Sequence, residues 1–129
     1  LTDVTGVQTV LFRSGGPMMG KAISNADVPV VKGTSGIVIM PEDESTRSEM
    51  MPCIRCAKCV MACPLNLEPY LLMTLSEKGD FERAGRERIT DCMECGSCSF
   101  TCPASRPLLD YIRLGKSTVI KMARKQLVK

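Results

Sequence analysis

The sequence predicts an α+β chain in which a short β-rich piece precedes a mainly helical domain that carries every cysteine. Three observations carry this reading. The first forty residues combine glycine turns with β-branched runs, as in "VPVVKGTSGIVIM" from Val28 to Met40. Beyond residue 52, leucines recur at helical spacing. All eight cysteines fall in two runs of identical spacing, "CIRCAKCVMACP" (Cys53 to Pro64) and "CMECGSCSFTCP" (Cys92 to Pro103).

In chain order, "GGPMMG" (Gly15 to Gly20) is turn chemistry, with glycines free to take positive φ and Pro17 fixing its own. Val28 to Met40 holds two strand-forming runs separated by Lys32 to Gly36, which predicts a hairpin. Neither glycine-rich stretch matches a phosphate-binding or dinucleotide fingerprint. "PEDESTRSEMM" (Pro41 to Met51) is charged and headed by proline, so it reads as a linker. The domains expected are therefore 1–40 (β-rich partial module), 41–51 (linker) and 52–129 (cysteine domain).

Leu67, Leu71 and Leu75, with Leu72 beside them, predict a helix from about Glu68 to Lys78 that Gly79 caps. Asp80 can open a second short helix through about Arg88. Leu108, Leu109, Ile112, Val119 and Ile120 predict a C-terminal helix, with a break near Gly115.

Composition removes several functions. No apolar stretch approaches the roughly 18 residues of a membrane span. With three Phe, two Tyr and no Trp, stacking platforms for nucleic acid are not expected. The chain begins at Leu1 and reads as a fragment. A disulfide framework is disfavoured, because no signal peptide is seen and both runs keep one spacing suited to convergence on a centre.

The spacing in both runs is C-x₂-C-x₂-C-x₃-C-P, repeated at an offset of 39 residues. Zinc sites usually pair two C-x₂-C units or mix Cys with His, and this chain has no His. A triplet at two-residue spacing instead wraps a loop around a cubane, which is the bacterial ferredoxin pattern for [4Fe–4S] clusters. In two-cluster proteins of this pattern the fourth cysteine of each run ligates the other cluster. Cys53, Cys56, Cys59 and Cys102 are thus expected to hold cluster I, and Cys92, Cys95, Cys98 and Cys63 cluster II. Ala57 and Gly96 occupy matching positions where a small side chain lets backbone amides approach the cluster sulfurs. Pro64 and Pro103 restrict the cysteine before them toward extended geometry.

One cysteine per iron leaves no open coordination position, so the domain is expected to relay single electrons and to have no catalytic site of its own. Cluster I has Arg55, Lys58 and Arg106 nearby, while cluster II has Glu94 and no basic residue inside its triplet. Positive charge favours the reduced form, so cluster I is expected at the higher potential. From Arg113 onward the chain carries Arg113, Lys116, Lys121, Arg124, Lys125 and Lys129 and no acidic residue. With Val119, Ile120 and Leu127 this tail allows three readings: a solvated helix on its own domain, an acidic-partner contact, or a peripheral membrane contact.

"GGPMMG", "DVPVVKGTSGIVIM", "PCIRCAKCVMACPLNLEPYLL" and "DCMECGSCSFTCPASRPLLDYIRLGK", in that order, resemble the C-terminal part of the C subunit of the Rnf ion-translocating electron-transport complex. The resemblance covers Gly15 to about Lys125. It implies a peripheral subunit on the cytoplasmic side of a bacterial membrane complex that couples electron transfer between ferredoxin and NAD to sodium or proton pumping. It further implies that FMN and NADH bind on an N-terminal part absent here, and that residues 1–40 are the remnant of a β-grasp-like module. Thr5 to Ser14 departs from the family and reads as a cloning or assembly scar. Two other readings share the cysteine pattern: the iron–sulfur domain of a related cobalamin reductase and a soluble ferredoxin-like carrier.

Overall fold

The computed structural model describes residues 10–23, 27–41 and 48–127. Its contacts divide into two compact units, Leu1–Ser48 and Glu49–Lys129.

The first unit is a three-stranded antiparallel sheet. Strands β1 (Val10–Ser14), β2 (Lys21–Ile23) and β3 (Ile37–Pro41) lie in the order β2-β1-β3, with Phe12 opposite both Ile23 and Ile39. The Gly15–Gly20 stretch turns β1 into β2, closed by the Gly20 N–H donating to the Gly16 carbonyl at 2.7 Å. Gly15 has φ +106° and a Cβ there would lie 3.0 Å from the Gly20 Cα, so this turn needs glycine.

One expectation is corrected here. Val28–Val31 is not a strand, although its composition is β-branched. Pro29 has no N–H to give a ladder, and Val31 is instead tied into a local turn by exchange with Thr34. Strand β3 pairs instead with β1. Of Thr5–Ser14, the described part Val10–Ser14 is the central strand, while Thr5–Thr9 lies outside the described residues. Of the expected linker, Glu42–Arg47 also lies outside them.

The second unit contains α1 (Lys58–Met61), α2 (Pro69–Lys78), α3 (Phe81–Arg86), a 3₁₀ turn (Ile89–Asp91), α4 (Ser97–Phe100) and α5 (Leu108–Leu127). Pro69 supplies a φ preset for the first turn of α2, where its missing N–H costs nothing. Gly79, at φ +75°, ends α2, with the Asp80 N–H donating to the Leu75 carbonyl at 2.9 Å. Asp80 then caps α3 by accepting from the Arg83 N–H at 3.1 Å. The helix α3 stops at Arg86, two residues earlier than expected, because Arg88 turns left-handed (φ 62°) to enter the 3₁₀ turn before Cys92.

The core lies between α2, α5 and the 3₁₀ turn. Leu72, Met73, Ile89, Leu108 and Ile112 are all but fully buried. Each such side chain stabilises the fold by about 1.5–3 kcal/mol relative to exposure. The break expected near Gly115 does not occur, since α5 is one continuous helix of 20 residues. Gly115 is required by packing: a Cβ there would run into the Ser76 Oγ of α2 and lie 2.8 Å from the Ile89 Cδ1. Ser76 itself is buried and donates to the Leu72 carbonyl at 2.8 Å, so it needs no partner across the contact.

This contact yields a paired test. Gly115→Ala gains about 1 kcal/mol of helix propensity but loses roughly 1–3 kcal/mol to overpacking. Its melting temperature should therefore fall. Gly85→Ala in α3, whose Cβ would sit 3.4 Å from the Val119 Cγ1, should melt at or above the parent temperature. An unchanged Gly115→Ala midpoint would show that α2 and α5 can separate at no cost.

Candidate metal centre

The sequence repeat is also a backbone repeat. Left-handed residues occur in pairs 39 apart: Arg55 and Glu94 (φ 55° and 60°), Ala57 and Gly96 (59° and 85°), Asn66 and Ser105 (52° and 49°). Hydrogen bonds follow the same offset. The Val60 and Met61 N–H groups donate to Ala57 O as those of Ser99 and Phe100 donate to Gly96 O. Left-handed residues alternating with ordinary ones turn successive N–H groups inward, the concave arrangement that suits anionic groups such as iron–sulfur centres. Five of these six positions carry a non-glycine residue, with φ between 49° and 60°, which costs roughly 1–2 kcal/mol each.

Between these loops lie two cavities. The first, about 550 Å³ and open, is lined by Cys53, Cys56, Cys59 and Cys102. The second, about 20 Å³, is lined by Cys92, Cys95, Cys98 and Cys63. Each therefore brings together three thiols of one run and the fourth of the other, the same two sets of four expected from spacing. All eight thiols are free. Among the described residues no three Cys, Asp or Glu side chains converge on one metal-ion position. Thiols spaced around a hollow suit a group with volume of its own. The donor set fits a four-iron cluster in both cavities. The volume fits only the first, and the walls of the second must part to admit one.

The surroundings differ between the repeats. Tyr70 and Arg106 line the first cavity, where their counterparts 39 positions away, Leu109 and Leu67, line the second. Cys53 and Cys56 are exposed and Cys98 is buried. Burial pushes the thiols of Cys59 and Cys92 up, and that of Cys98 to about 11. Apolar burial thus opposes the thiolate, which iron or nearby amides must offset. Amide donors are present: Leu67 N–H points to the Cys63 Sγ and Glu94 N–H to the Cys92 Sγ, both at 3.4 Å.

One group of functional residues is not legible in the spacing. Glu94 receives Arg113 Nε at 2.9 Å and Lys116 Nζ at 3.2 Å, both from α5, and Lys116 also donates to the Cys92 carbonyl at 2.6 Å. Burial opposes the charge of Glu94, yet the hydrogen bonds from these two cations outweigh it and hold the carboxyl below its ordinary range. The charge contrast expected between the two sites is correspondingly smaller, since the carboxylate beside the second cavity is met by two cations. The tail reading is also divided. Arg113 and Lys116 belong to the site and Val119 packs against the core, while Lys121, Arg124 and Lys125 are exposed. Lys129 lies outside the described residues.

The left-handed Ala57 supplies a measurable check. Ala57→Gly should raise the thermal midpoint for bleaching of the iron chromophore, by at most about 1 kcal/mol in stability. Ala57→Val, β-branched at the same φ, should lower it. A shared direction for both would mean that φ at 57 carries no strain.

A family described as "4Fe-4S dicluster domain" matches residues 52–105, which span both cysteine runs. The chain is 48% identical over 111 residues to the C subunit of the proton-translocating ferredoxin:NAD(+) oxidoreductase complex of Clostridium ljungdahlii, covering 85% of this chain and 24% of that protein. It is 50% identical over 102 residues to the C subunit of the ion-translocating oxidoreductase complex of Rhodobacter capsulatus, covering 79% and 20%. It is 44% identical over 112 residues to the C subunit of the Na(+)-translocating ferredoxin:NAD(+) oxidoreductase complex of Acetobacterium woodii, covering 87% and 25%. With a two-cluster iron–sulfur domain at its centre and this identity along most of its length, the chain belongs to the family of ion-translocating oxidoreductase C subunits, of which it spans about a quarter or less.

Proposed function

We propose that this chain is the electron-relay segment of a membrane-associated ferredoxin:NAD oxidoreductase whose electron transfer is coupled to sodium or proton translocation. The observation that carries it is the composition of the two cavities, each walled by four cysteines drawn from both runs. Cys53, Cys56, Cys59 and Cys102 would hold one [4Fe–4S] cluster, and Cys92, Cys95, Cys98 and Cys63 the other. The clusters supply one-electron chemistry. The chain's own residues hold them, shield the second cavity from water and direct amides at the sulfurs.

FMN and NADH are assigned to the part of the relatives' length that this chain does not span, and the three-stranded sheet to a portion of a β-grasp-like module. Residues 1–40, 41–51 and 52–129 serve in this reading as partial module, linker and relay domain. Partners are the other subunits of the complex, with a ferredoxin as electron donor or acceptor, on the cytoplasmic face of the membrane. Among the described residues no helix is long and apolar enough to cross a membrane. Repeat-related apolar residues, Ile54 with Met93 and Met61 with Phe100, are exposed and offer contact area to those subunits.

The crossing is tested by cysteine replacement in the cluster-loaded chain. Loss of one cluster lowers iron from about eight to about four per chain. Cys102→Ala should remove the same EPR signal as Cys53→Ala, and Cys63→Ala the same as Cys95→Ala. If Cys102→Ala instead removes the signal lost in Cys95→Ala, each run serves its own cluster and the crossed assignment fails.

The tail is tested by truncation after Ile120, which removes Lys121, Arg124 and Lys125 and keeps Gly115, Lys116 and Val119. A cut after Leu114 would be uninformative, because it takes away packed and site residues together. Both clusters should survive truncation after Ile120, while assembly with the membrane complex weakens in a salt-sensitive manner. Each basic residue near an anionic surface contributes about 1 kcal/mol. Unchanged assembly at all salt concentrations would remove the tail from the interface.

A further inference from the structure

We propose that Arg113 and Lys116 of α5, clasping Glu94, form a cationic clamp that raises the reduction potential of the cluster in the second cavity. The inference rests on the ligand assignment proposed above and adds residues that the cysteine pattern does not name.

The geometry is specific. Glu94 sits between the ligands Cys92 and Cys95 in a left-handed conformation, and its N–H points to the Cys92 Sγ at 3.4 Å. Lys116 bridges the Glu94 carboxylate, at 3.2 Å, and the carbonyl of Cys92, at 2.6 Å. Arg113 meets the other carboxylate oxygen at 2.9 Å. Two bases thus converge on the one carboxylate of the ligand loop and bring positive charge up to Cys92. The side chains of Arg113, Lys116 and Glu94 are 18%, 21% and 32% exposed, so solvent and salt screen them less than surface charges.

A four-iron cluster held by four thiolates is anionic and gains one further negative charge on reduction. Neighbouring positive charge therefore favours the reduced form and raises the potential. The step is a one-electron gain by the cluster, with no bond to the protein made or broken. Among the described residues no equivalent group stands at the first cavity. The positions 39 residues earlier are Arg55, Thr74 and Glu77, and Glu77 turns to Arg106 at 3.7 Å instead.

A purely mechanical role, bracing the Cys92–Cys95 loop, makes a different forecast. Removal of either partner would then loosen the loop and move the cluster in the same direction. The electrostatic role makes the two removals opposite in sign.

The test is potentiometric EPR titration of the cluster-loaded chain, with chemical mediators supplying the electron. The signals are assigned by Cys53→Ala and Cys95→Ala. In Lys116→Met the reduced-to-oxidised ratio of the second-cavity cluster, at fixed potential, should fall several-fold, up to about tenfold, which corresponds to about 59 mV for one electron. In Glu94→Gln, which keeps the size and hydrogen-bonding shape, the ratio should rise by a comparable factor. Lys116→Arg should restore the parent value. Shifts of the same sign in the first two variants, or no shift with both clusters retained, overturn the clamp and leave the ligand assignment standing. If Lys116→Met does not retain its cluster, the sign of the Glu94→Gln shift decides. If the signal that moves is the one lost in Cys53→Ala, the assignment of Cys92 and Cys95 to the affected cluster is itself wrong.

Discussion

Each cavity is walled by three cysteines from one run and the fourth from the other, so neither loop can complete its site alone. That reciprocal dependence organises the whole second unit. It requires the two runs to face each other across a short gap, and α1 and α4 do pack together. It also demands that the chain between Cys63 and Cys92 leave the site and return. The helices α2 and α3 and the 3₁₀ turn make that excursion, and their buried faces form most of the core. A change that shifts one loop therefore disturbs both sites.

Helix α5 secures this arrangement from outside. Its first turns bury Leu108, Leu109 and Ile112, and Gly115 then lets its backbone approach α2 at Ser76. One residue further on, Lys116 reaches the Cys92 carbonyl. Close helix packing and the polar tie to the ligand loop thus depend on the same half-turn. Two other ion pairs, Arg83 with Glu87 and Arg88 with Asp91, are exposed and local. Such pairs contribute about 0–1 kcal/mol and do not hold elements together.

The repeat preserves the backbone and lets the side chains diverge. Left-handed residues and loop hydrogen bonds recur at the same offset. Around the first cavity this frame carries Tyr70 and Arg106, with two exposed cysteines. Around the second it carries Leu67, Leu109 and a buried Cys98. Solvent exposure, charge and amide–sulfur contacts are the protein's means of setting a cluster's potential. One frame thus presents one cavity with exposed thiols and one with a buried thiol.

The eight cysteines, their arrangement in two matched runs and the helical character of the domain around them are legible in the residues alone. Those features depend on spacing: two-residue intervals between thiols, four-residue intervals between leucines, and caps such as Asp80 and Gly79 that act within one turn. Packing settles whatever depends on a distant partner. Val28–Val31 has the composition of a strand but lacks a ladder, because β3 found its neighbour in Val10–Ser14. Gly115 has the look of a helix break and is a contact point, since the reason for it is Ser76 on another helix. Arg113 and Lys116 read as part of a basic tail until α5 places them on Glu94, some twenty residues away in sequence. Spacing records what the chain does to itself over a few residues. The direction in which a long side chain finds its counter-charge is set only when separate elements pack.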